Sequence, residues 1–275
     1  MEKIKRNDRV AAISKILSSH PNRIFTLSYF SQMFNTAKST ISEDIAIIKK
    51  AINHFSLGDI ETVAGAAGGI RYQVSPSYDH SREFVEDLCE KLSESQRLLP
   101  GGFLYMNDII HKPETIRDIG QILASSFKDK ELDFILTVET KGIPVALMTA
   151  HFLGCPLVVA RKKGNVTEGP NVSINYATAT SGRLETMYLS KKAIEGYKRA
   201  LIIDDFMRGG GTAKGMQELL KEFSIDIVGV GVVIATSEPK AKLVDDYFSL
   251  VELVSVDQEK KRIEISPSRW FSNKI

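Results

Sequence analysis

Hydrophobic positions recur at the spacing of an α-helix three times near the start of the chain. The first helical pattern covers residues 8–20, the second covers 26–35, and the third covers 39–55. Two short segments, 60–63 and 70–74, then alternate as strands around a turn rich in glycine and alanine. Three helices followed by a β-hairpin predict a winged helix-turn-helix domain.

The third helix is the one that such a domain places in the major groove of DNA. We expect Ser39 or Thr40 to cap it, with Glu43 completing a capping box. Residues 1–74 hold ten Lys/Arg against six Asp/Glu, whereas the remainder holds 26 against 28, so the basic N-terminal segment suits a polyanion. The alternative is a winged helix that contacts protein or dimerises. The predicted DNA contacts are Lys38, Ser39, Thr40 and Ser42 on the third helix, Arg71 on the wing, and Lys5 and Arg6 in the N-terminal arm.

Helices and strands alternate through the remaining chain, which we interpret as a second domain over residues 75–275. Its first residues, 75–80, are polar, contain proline and predict a linker. The predicted elements are a helix from Ser81 ending at 100–102, a helix over 113–127, a strand over 134–138, a helix over 145–153, strands over 156–160 and 200–203, a helix over 213–223, and a strand over 227–234. This alternation indicates a parallel sheet with helices on both faces.

The segment 201–213, LIIDDFMRGGGTA, joins an apolar strand to a helix through two carboxylates and a glycine loop. Glycines 209–211 open the backbone to a close approach, and a helix beginning near Thr212 turns unpaired N–H groups toward an anion. Asp204 and Asp205 lie at the end of a parallel strand, where α/β sheets bind ligands, and they suit the hydroxyls of a ribose. We predict a site for a phosphorylated sugar. The alternative is a tight turn in which the acidic pair caps the helix.

A second loop suits a pyrophosphate, and the alternative is an ordinary helix N-terminus that happens to contain lysine and glycine. Residues 138–144, VETKGIP, follow a predicted strand and open a helix. Lys141 supplies a cation, Gly142 allows a close backbone approach, and Pro144 fits a first helical turn.

The segment 161–188 begins with three cations and contains two turn signals around a strand-like stretch at 172–176. Arg161, Lys162 and Lys163 would either neutralise phosphates or face solvent or DNA. The sequence leaves both alternatives open.

Composition narrows the class of protein. The 275 residues suffice for about two domains, and a hydrophobic content of 43% fills ordinary cores. No run of about 18 apolar residues occurs, and MEKIKRNDRV lacks a signal-peptide segment, so we expect a cytoplasmic protein with no membrane partner. Cys89 and Cys155 are expected to be reduced, buried thiols. The five histidines show no metal spacing, so no metal is expected.

The order strand, acidic pair, glycine loop, threonine and helix resembles the phosphoribosyl pyrophosphate (PRPP) loop of type I phosphoribosyltransferases. ETKGIP resembles their pyrophosphate loop, and the segment 161–188 resembles the hood that closes over PRPP. A winged helix ahead of ETKGIP, RKKGNVTEGPNVSINY and IIDDFMRGGGTAKGM resembles the purine operon repressor family of Gram-positive bacteria over essentially the whole chain. The expected fold class is therefore α/β, an N-terminal winged helix-turn-helix followed by a type I phosphoribosyltransferase fold with a parallel sheet and hood.

This resemblance implies that the enzyme fold serves as a sensor. PRPP would bind the former active site and relieve repression of purine biosynthesis and salvage genes, and a guanosine nucleotide alarmone would occupy the same pocket with the opposite effect. A homodimer would bind double-stranded operator DNA. The resemblance implies neither catalytic residues nor a required cofactor. The expected effector-binding residues are Phe103, Glu139, Thr140, Lys141, Gly142, Arg161, Lys162, Asp204, Asp205, Phe206, Met207, Arg208, Gly209, Gly210, Gly211 and Thr212.

One pair of residues departs from the enzyme pattern. Phosphoribosyltransferases usually place a small residue and a threonine where this chain has Arg208 and Gly209, so a hydroxyl is lost and a charge gained. Arginine still binds phosphate bidentately, whereas catalysis must also stabilise charge on the ribose and align a base. Phe103 and Phe206 would stack on a base or fill the core, and for Phe206 we favour the pocket. The alternatives are a purine or xanthine phosphoribosyltransferase with an accessory domain, and a winged helix that binds RNA or protein.

Overall fold

The computed structural model describes residues 4–65, 68–164, 169–177 and 184–272. The chain divides into two compact units, the first made of residues 1–77 and 151–154 and the second of residues 78–150 and 155–275. Within the described ranges, no helix is both long enough and apolar enough to cross a bilayer.

The first unit consists of helices followed by a hairpin, which confirms the predicted order of elements. Five core side chains from its helices, Ile13, Leu17, Phe30, Ile41 and Ile48, are at most 2% exposed. The two strands pair antiparallel. The elements are α1 (Arg6–Ser19), α2 (Leu27–Met33), α3 (Lys38–His54), β1 (Asp59–Val63) and β2 (Gly69–Gln73).

Helices α2 and α3 begin in different ways. Thr26 caps α2, since its Oγ1 accepts a hydrogen bond of 3.1 Å from the N–H three residues later. The predicted cap of α3 is wrong. The helix begins at Lys38 with Ala37 as its N-cap and no side-chain cap, so Ser39 and Thr40 already lie in the first turn.

The second unit contains the alternating elements. They are α4 (Tyr78–Leu92), β3 (Leu98–Leu99), β4 (Phe103–Leu104), α5 (Asn107–Ile110), α6 (Pro113–Ser126), β5 (Phe134–Val138), α7 (Gly142–Leu153), β6 (Leu157–Ala160), β7 (Asn171–Ala177), β8 (Leu184–Ser190), β9 (Arg199–Met207), α8 (Gly211–Lys221), β10 (Asp226–Thr236), β11 (Phe248–Asp257), β12 (Arg262–Pro267) and α9 (Arg269–Ser272). Short 3₁₀ turns occur at Ser95–Arg97 and Lys191–Ile194.

The central sheet has the strand order β12-β11-β10-β9-β5-β6. All neighbouring pairs are parallel except β11 with β12, which is antiparallel. Every residue of β5 is buried, as expected for a strand covered on both faces. A separate pair, β7 and β8, is antiparallel and corresponds to the predicted hood, although residues 165–168 and 178–183 of that segment lie outside the described ranges. The predicted α/β class with a mostly parallel sheet is confirmed.

Several predicted boundaries in this unit are wrong. Helix α4 begins at Tyr78 inside the predicted linker, because the polar residues there suit a first turn and Asp79 interacts favourably with the helix dipole. It ends at Leu92, and residues 100–102 instead form the turn between β3 and β4. Strand β9 continues through the acidic pair, since the parallel neighbour β10 extends equally far.

The two cysteines carry free thiols, Cys89 buried and Cys155 half-buried. Burial raises the pKa of each thiol to about 12. Neither thiol therefore ionises at neutral pH, and both side chains serve packing.

Candidate functional site

Two loops of the second unit meet at one edge of the sheet. Strand β9 lies beside β5, whereas the chain continues from β5 to β6 on the other side, so the direction of strand addition reverses between β5 and β9. Open α/β sheets bind ligands at the carboxyl ends of strands at such a point. The loop after β5 begins at Glu139, and the acid–glycine loop, defined as residues 204–212, covers the end of β9, the turn after it and the start of α8.

Glycine shapes the backbone of the acid–glycine loop. Gly210 has φ +82° in the left-handed region and is the N-cap of α8. Only glycine adopts this conformation without strain. The loop therefore brings the unpaired N–H groups of the helix start to the cavity lined by residues 204–213.

The Asp204 carboxyl is packed at the centre of the site. It is 6% exposed, and its Oδ1 accepts a hydrogen bond of 2.9 Å from the Asp205 N–H. Gly142 lies so close that a Cβ there would overlap Asp204 Oδ1 and Thr137 Oγ1. Burial first, and the neighbouring Asp205 second, hold the pKa of Asp204 well above its usual value, while Lys162 lowers it. Such a carboxyl at the edge of a cleft is typical of functional sites.

The loops border a cavity of about 940 Å³, which is large enough for a small-molecule ligand. Part of its wall is charged. Lys141, Lys162 and Arg208 contribute cations, and Asp204 and Asp205 contribute carboxylates. This combination can bind phosphates through cations and N–H groups, and sugar hydroxyls through carboxylates.

A second part of the wall is mainly apolar and comes from residues 99–104 and 253–256. Phe103 is 65% exposed there, and Phe206 also lines the cavity, so both predicted aromatics reach it. The sequence analysis missed the contribution of β11. Its alternating sequence, FSLVELVSVD, was the available signal.

The structure brings most predicted effector contacts to the cavity wall but not all of them. The contacts that line it are Phe103, Lys141, Lys162, Asp204, Asp205, Phe206, Met207, Arg208, Gly209, Gly210, Gly211 and Thr212. Glu139, Thr140, Gly142 and Arg161 are not among its lining residues. Gly142 instead packs behind Asp204, as described above.

Glu139 and Arg161 interact with each other instead. Glu139 Oε1 accepts a hydrogen bond of 2.6 Å from the Lys162 N–H, and Arg161 Nη1 donates to Glu139 Oε2 at 3.3 Å. Glu139 thereby connects the loop after β5 to the segment that carries Lys162. This pairing supports the position of Lys162 rather than direct ligand contact by Glu139 or Arg161.

The hood strands attach to α8 through Tyr176. Its hydroxyl donates a hydrogen bond of 2.8 Å to Glu185, and its ring packs where a Cβ on Gly215 would lie 2.9 Å away. Burial first, and the hydrogen bond with Glu185 second, raise the pKa of Tyr176. Glu185 lines the cavity, and the sequence analysis missed it because a single glutamate in a turn-rich segment carries no distinguishing pattern.

Most predicted DNA contacts are exposed on the first unit. Lys5, Arg6, Lys38, Ser39 and Ser42 are exposed, whereas Thr40 and Arg71 are half-buried. Two of the predicted cations are ion-paired. Arg6 lies 2.7 Å from Glu43, and Arg71 lies 2.7 Å from Glu61. A phosphate would have to compete with these carboxylates.

A buried ion pair joins α1 to α3, the predicted recognition helix. Arg9 donates to both carboxylate oxygens of Asp44, at 2.7 Å and 3.2 Å. Arg9 is 7% exposed and Asp44 fully buried, and Arg9 also donates to the Ile4 carbonyl at 2.9 Å. The pair joins α3 to α1, and Arg9 also holds Ile4 just ahead of α1. The sequence analysis did not identify it, because a lone Arg and Asp at helical positions read as surface residues.

Two family models match the chain. The model described as the N-terminal part of the bacterial purine repressor matches residues 5–74, and the phosphoribosyl transferase domain matches residues 106–267. Among solved structures, the adenine phosphoribosyltransferase of Rhodothermus marinus has a TM-score of 0.52 at 23% identity and covers 62% of this chain and 99% of its own. This likeness shows the fold of the second unit.

Curated relatives match nearly the full length. The purine biosynthesis transcriptional repressor PurR of Bacillus subtilis is 41% identical over 269 residues, 98% of this chain and 94% of its own. The purine biosynthesis transcriptional activator PurR of Lactococcus lactis is 36% identical over 271 residues, 98% of this chain and 100% of its own. With an identity this high over both units, the chain belongs to the bacterial purine repressor family of transcriptional regulators, whose second unit has the phosphoribosyltransferase fold.

Proposed function

We propose that this protein is a DNA-binding transcriptional repressor of purine biosynthesis and salvage genes, and that PRPP bound in its second unit relieves repression. Residues 1–74 form the operator-binding domain in this proposal, and residues 75–275 form the effector-binding domain. The observation that carries it is the acid–glycine loop, which lines a cavity at the switch point of the sheet in a chain with full-length regulator relatives.

The charges and backbone of the cavity suit each part of PRPP. Its 5′-phosphate would accept hydrogen bonds from the N–H groups of glycines 209–211, with Thr212 and Arg208 beside them. The ribose hydroxyls would donate to Asp204 and Asp205. The pyrophosphate would lie against Lys141 and Lys162, the remaining cations of the wall.

The apolar wall provides a place for a base. An exposed Phe103 ring and Phe206 offer stacking surfaces, and residues 253–256 lie along the same cavity. A guanosine nucleotide alarmone would place phosphates on the charged wall and its base on the apolar wall. It would therefore compete with PRPP and favour repression.

The same cavity supports ligand binding without catalysis. Arg208 and Gly209 stand where the enzymes place a small residue and a threonine, so the hydroxyl that would meet the 5′-phosphate is absent at those two positions. The full-length relatives are named as regulators, which supports a sensor. An assay for PRPP-dependent consumption of purine bases tests this directly, and turnover of any base would support the enzyme alternative.

Operator binding would use α3 and the flanking cations. The N-terminal end of α3, with Lys38, Ser39 and Ser42 exposed, would enter the major groove. Lys5 and Arg6 would meet phosphates once Arg6 exchanges Glu43 for the DNA backbone. We propose that a homodimer binds double-stranded DNA, because paired half-sites are the usual target of such domains.

Salt-dependent DNA binding measured with and without PRPP tests the proposed function. We expect PRPP to weaken operator binding and operator DNA to weaken PRPP binding by the same factor, typically about 5- to 150-fold. Equal PRPP affinities in the presence and absence of saturating DNA would refute the sensor. Transcription in vitro then separates repression from the activation named for the Lactococcus lactis relative.

A further inference from the structure

A segment that the predicted site did not include packs against the acid–glycine loop. This buttress segment, defined as residues 236–244, begins at the last residue of β10. Its Thr236 and Glu238 line the cavity, whereas Lys242 and Leu243 do not. Its Leu243 N–H donates to the Gly209 carbonyl at 3.0 Å, and a Cβ on Gly210 would lie 3.4 Å from two of its backbone nitrogens. The buttress segment therefore packs directly against the glycines that the proposed phosphate site uses.

Lys242 contributes the charged group of this contact. Its Nζ donates to the Arg208 carbonyl at 2.7 Å and to the Pro239 carbonyl at 3.1 Å, and it lies 3.5 Å from Thr236 Oγ1. An ammonium has three protons, so Lys242 can donate to both carbonyls at once. Burial lowers the pKa of Lys242, whereas Glu252 and Glu238 raise it.

Thr236 can also donate to the Arg208 carbonyl, but a second acceptor competes for its proton. Its Oγ1 lies 3.0 Å from the Arg208 carbonyl oxygen and 2.6 Å from the Glu238 carbonyl oxygen. A hydroxyl has a single proton, so it can satisfy only one of them at a time. Lys242 is therefore the firmer donor to Arg208.

These contacts determine where the loop N–H groups point. In a trans peptide the C=O and N–H bonds lie in one plane and point in opposite directions. Because Lys242 holds the Arg208 carbonyl, the Gly209 N–H points away from the buttress segment. Because Leu243 holds the Gly209 carbonyl, the Gly210 N–H points away as well. Successive N–H groups directed to one side form an anion-binding concavity.

We propose that Lys242 is a positioning residue for the effector site, which presets the N–H groups of Gly209 and Gly210 for the 5′-phosphate of the ligand without lining the cavity itself. The proposal rests on the proposed function, because it assigns that phosphate to the acid–glycine loop. It predicts that Lys242 acts on one part of the ligand only. The pyrophosphate is assigned to Lys141 and Lys162, so Lys242 should not affect its binding.

The test compares Lys242→Met with Lys240→Met by calorimetric titration of PRPP, ribose 5-phosphate and inorganic pyrophosphate into the full-length protein. Methionine keeps most of the lysine stem and removes the ammonium. Lys240 carries the same charge two residues earlier, is exposed, and makes none of the contacts described above. We expect Lys242→Met to weaken PRPP and ribose 5-phosphate by about ten-fold, the loss of roughly one hydrogen bond to a charged group, and to leave pyrophosphate unchanged.

Four outcomes would overturn the proposal. Unchanged ribose 5-phosphate affinity in Lys242→Met would show that the loop needs no support from this residue. An equal loss for pyrophosphate, or an equal loss in Lys240→Met, would show a general structural or charge effect. If Lys242→Met does not fold, Lys242→Gln, which removes the charge and shortens the donor, gives the same test with a smaller expected loss. If the wild type binds neither PRPP nor ribose 5-phosphate, the proposed function itself fails, and this proposal fails with it.

Discussion

Replacing Asp204 by Asn is expected to stabilise the fold and weaken the ligand at the same time. The Asp204 carboxyl is 6% exposed, and burial is the largest cause of its raised pKa. Asn keeps the size of the side chain and the acceptor for the Asp205 N–H. It removes the charge that the interior disfavours. The variant therefore isolates the effect of a desolvated carboxylate on both stability and binding.

The sign and size of the expected change in stability follow from the linkage between protonation and folding. The pKa of this carboxyl is higher in the folded than in the unfolded state. Its contribution to the free energy of unfolding is therefore fully present below the unfolded pKa and is lost as the pH rises through the folded pKa. Each unit of that difference is worth about 1.36 kcal/mol, or roughly 3 to 5 °C in Tm for a chain of this size. The gain from Asp204→Asn should be largest at neutral pH and vanish near pH ~4, the unfolded value.

Ligand binding should change in the opposite direction. A ribose hydroxyl that donates to a carboxylate contributes about 1.5 to 3 kcal/mol, so Asp204→Asn should weaken PRPP by roughly 10- to 150-fold and leave operator binding intact. In vivo the variant would repress regardless of PRPP. Asp205→Asn is the matched control. Its half-exposed side chain should also weaken PRPP, with a smaller gain in stability, because it removes only the second cause of the Asp204 shift.

Urea unfolding of the wild type and both variants at several pH values, combined with PRPP titration, checks the prediction. A lower midpoint for Asp204→Asn at neutral pH, or a gain that persists unchanged to acidic pH, would refute the linkage argument. Wild-type PRPP affinity in Asp204→Asn would instead place the ribose elsewhere.

Four further variants test other parts of the molecule. Lys5→Ala should lower the salt slope of DNA binding by about one unit, whereas Ser42→Ala should change sequence preference, which competition with altered operators would show. Asp44→Ala leaves Arg9 buried and unpaired, so the first unit should lose about 3 to 5 kcal/mol in denaturant unfolding. Gly142→Ala should abolish PRPP binding in titration, because its Cβ would overlap Asp204 Oδ1.

Long apolar patterns made the fold predictable. Strand β5 agrees residue for residue with its prediction, because a fully buried strand is a continuous apolar run bounded by polar residues. Helix α6 agrees within one residue for a related reason, since Pro113 fits its first turn. Boundaries set by tertiary pairing were not predictable. The extension of β9 through Asp204 depends on the parallel partner β10, which no local pattern reveals.

The candidate site was predictable where one segment carries its chemistry. The acid–glycine loop and Lys141 are contiguous in sequence with the elements that place them, and the cavity contains both. Glu185 and Lys242 could not be identified, because each acts through residues at least nine positions away, Tyr176 and Arg208. Single charged residues in loops carry no periodic signal. Only the three-dimensional contacts give them a role.

The site retains features that folding alone would not favour. Burial disfavours the charged forms of the Asp204 carboxyl and the Lys242 ammonium, since it raises the pKa of the first and lowers the pKa of the second. Such features persist where a ligand needs a preset site, since ordering the donors beforehand reduces the entropy lost on binding. A sensor requires this preset binding but no stabilisation of a transition state. Arg208 and Gly209 suit a site that binds its ligand without catalysis. Arginine adds attraction for phosphate, and the threonine hydroxyl of the enzymes is absent at these two positions.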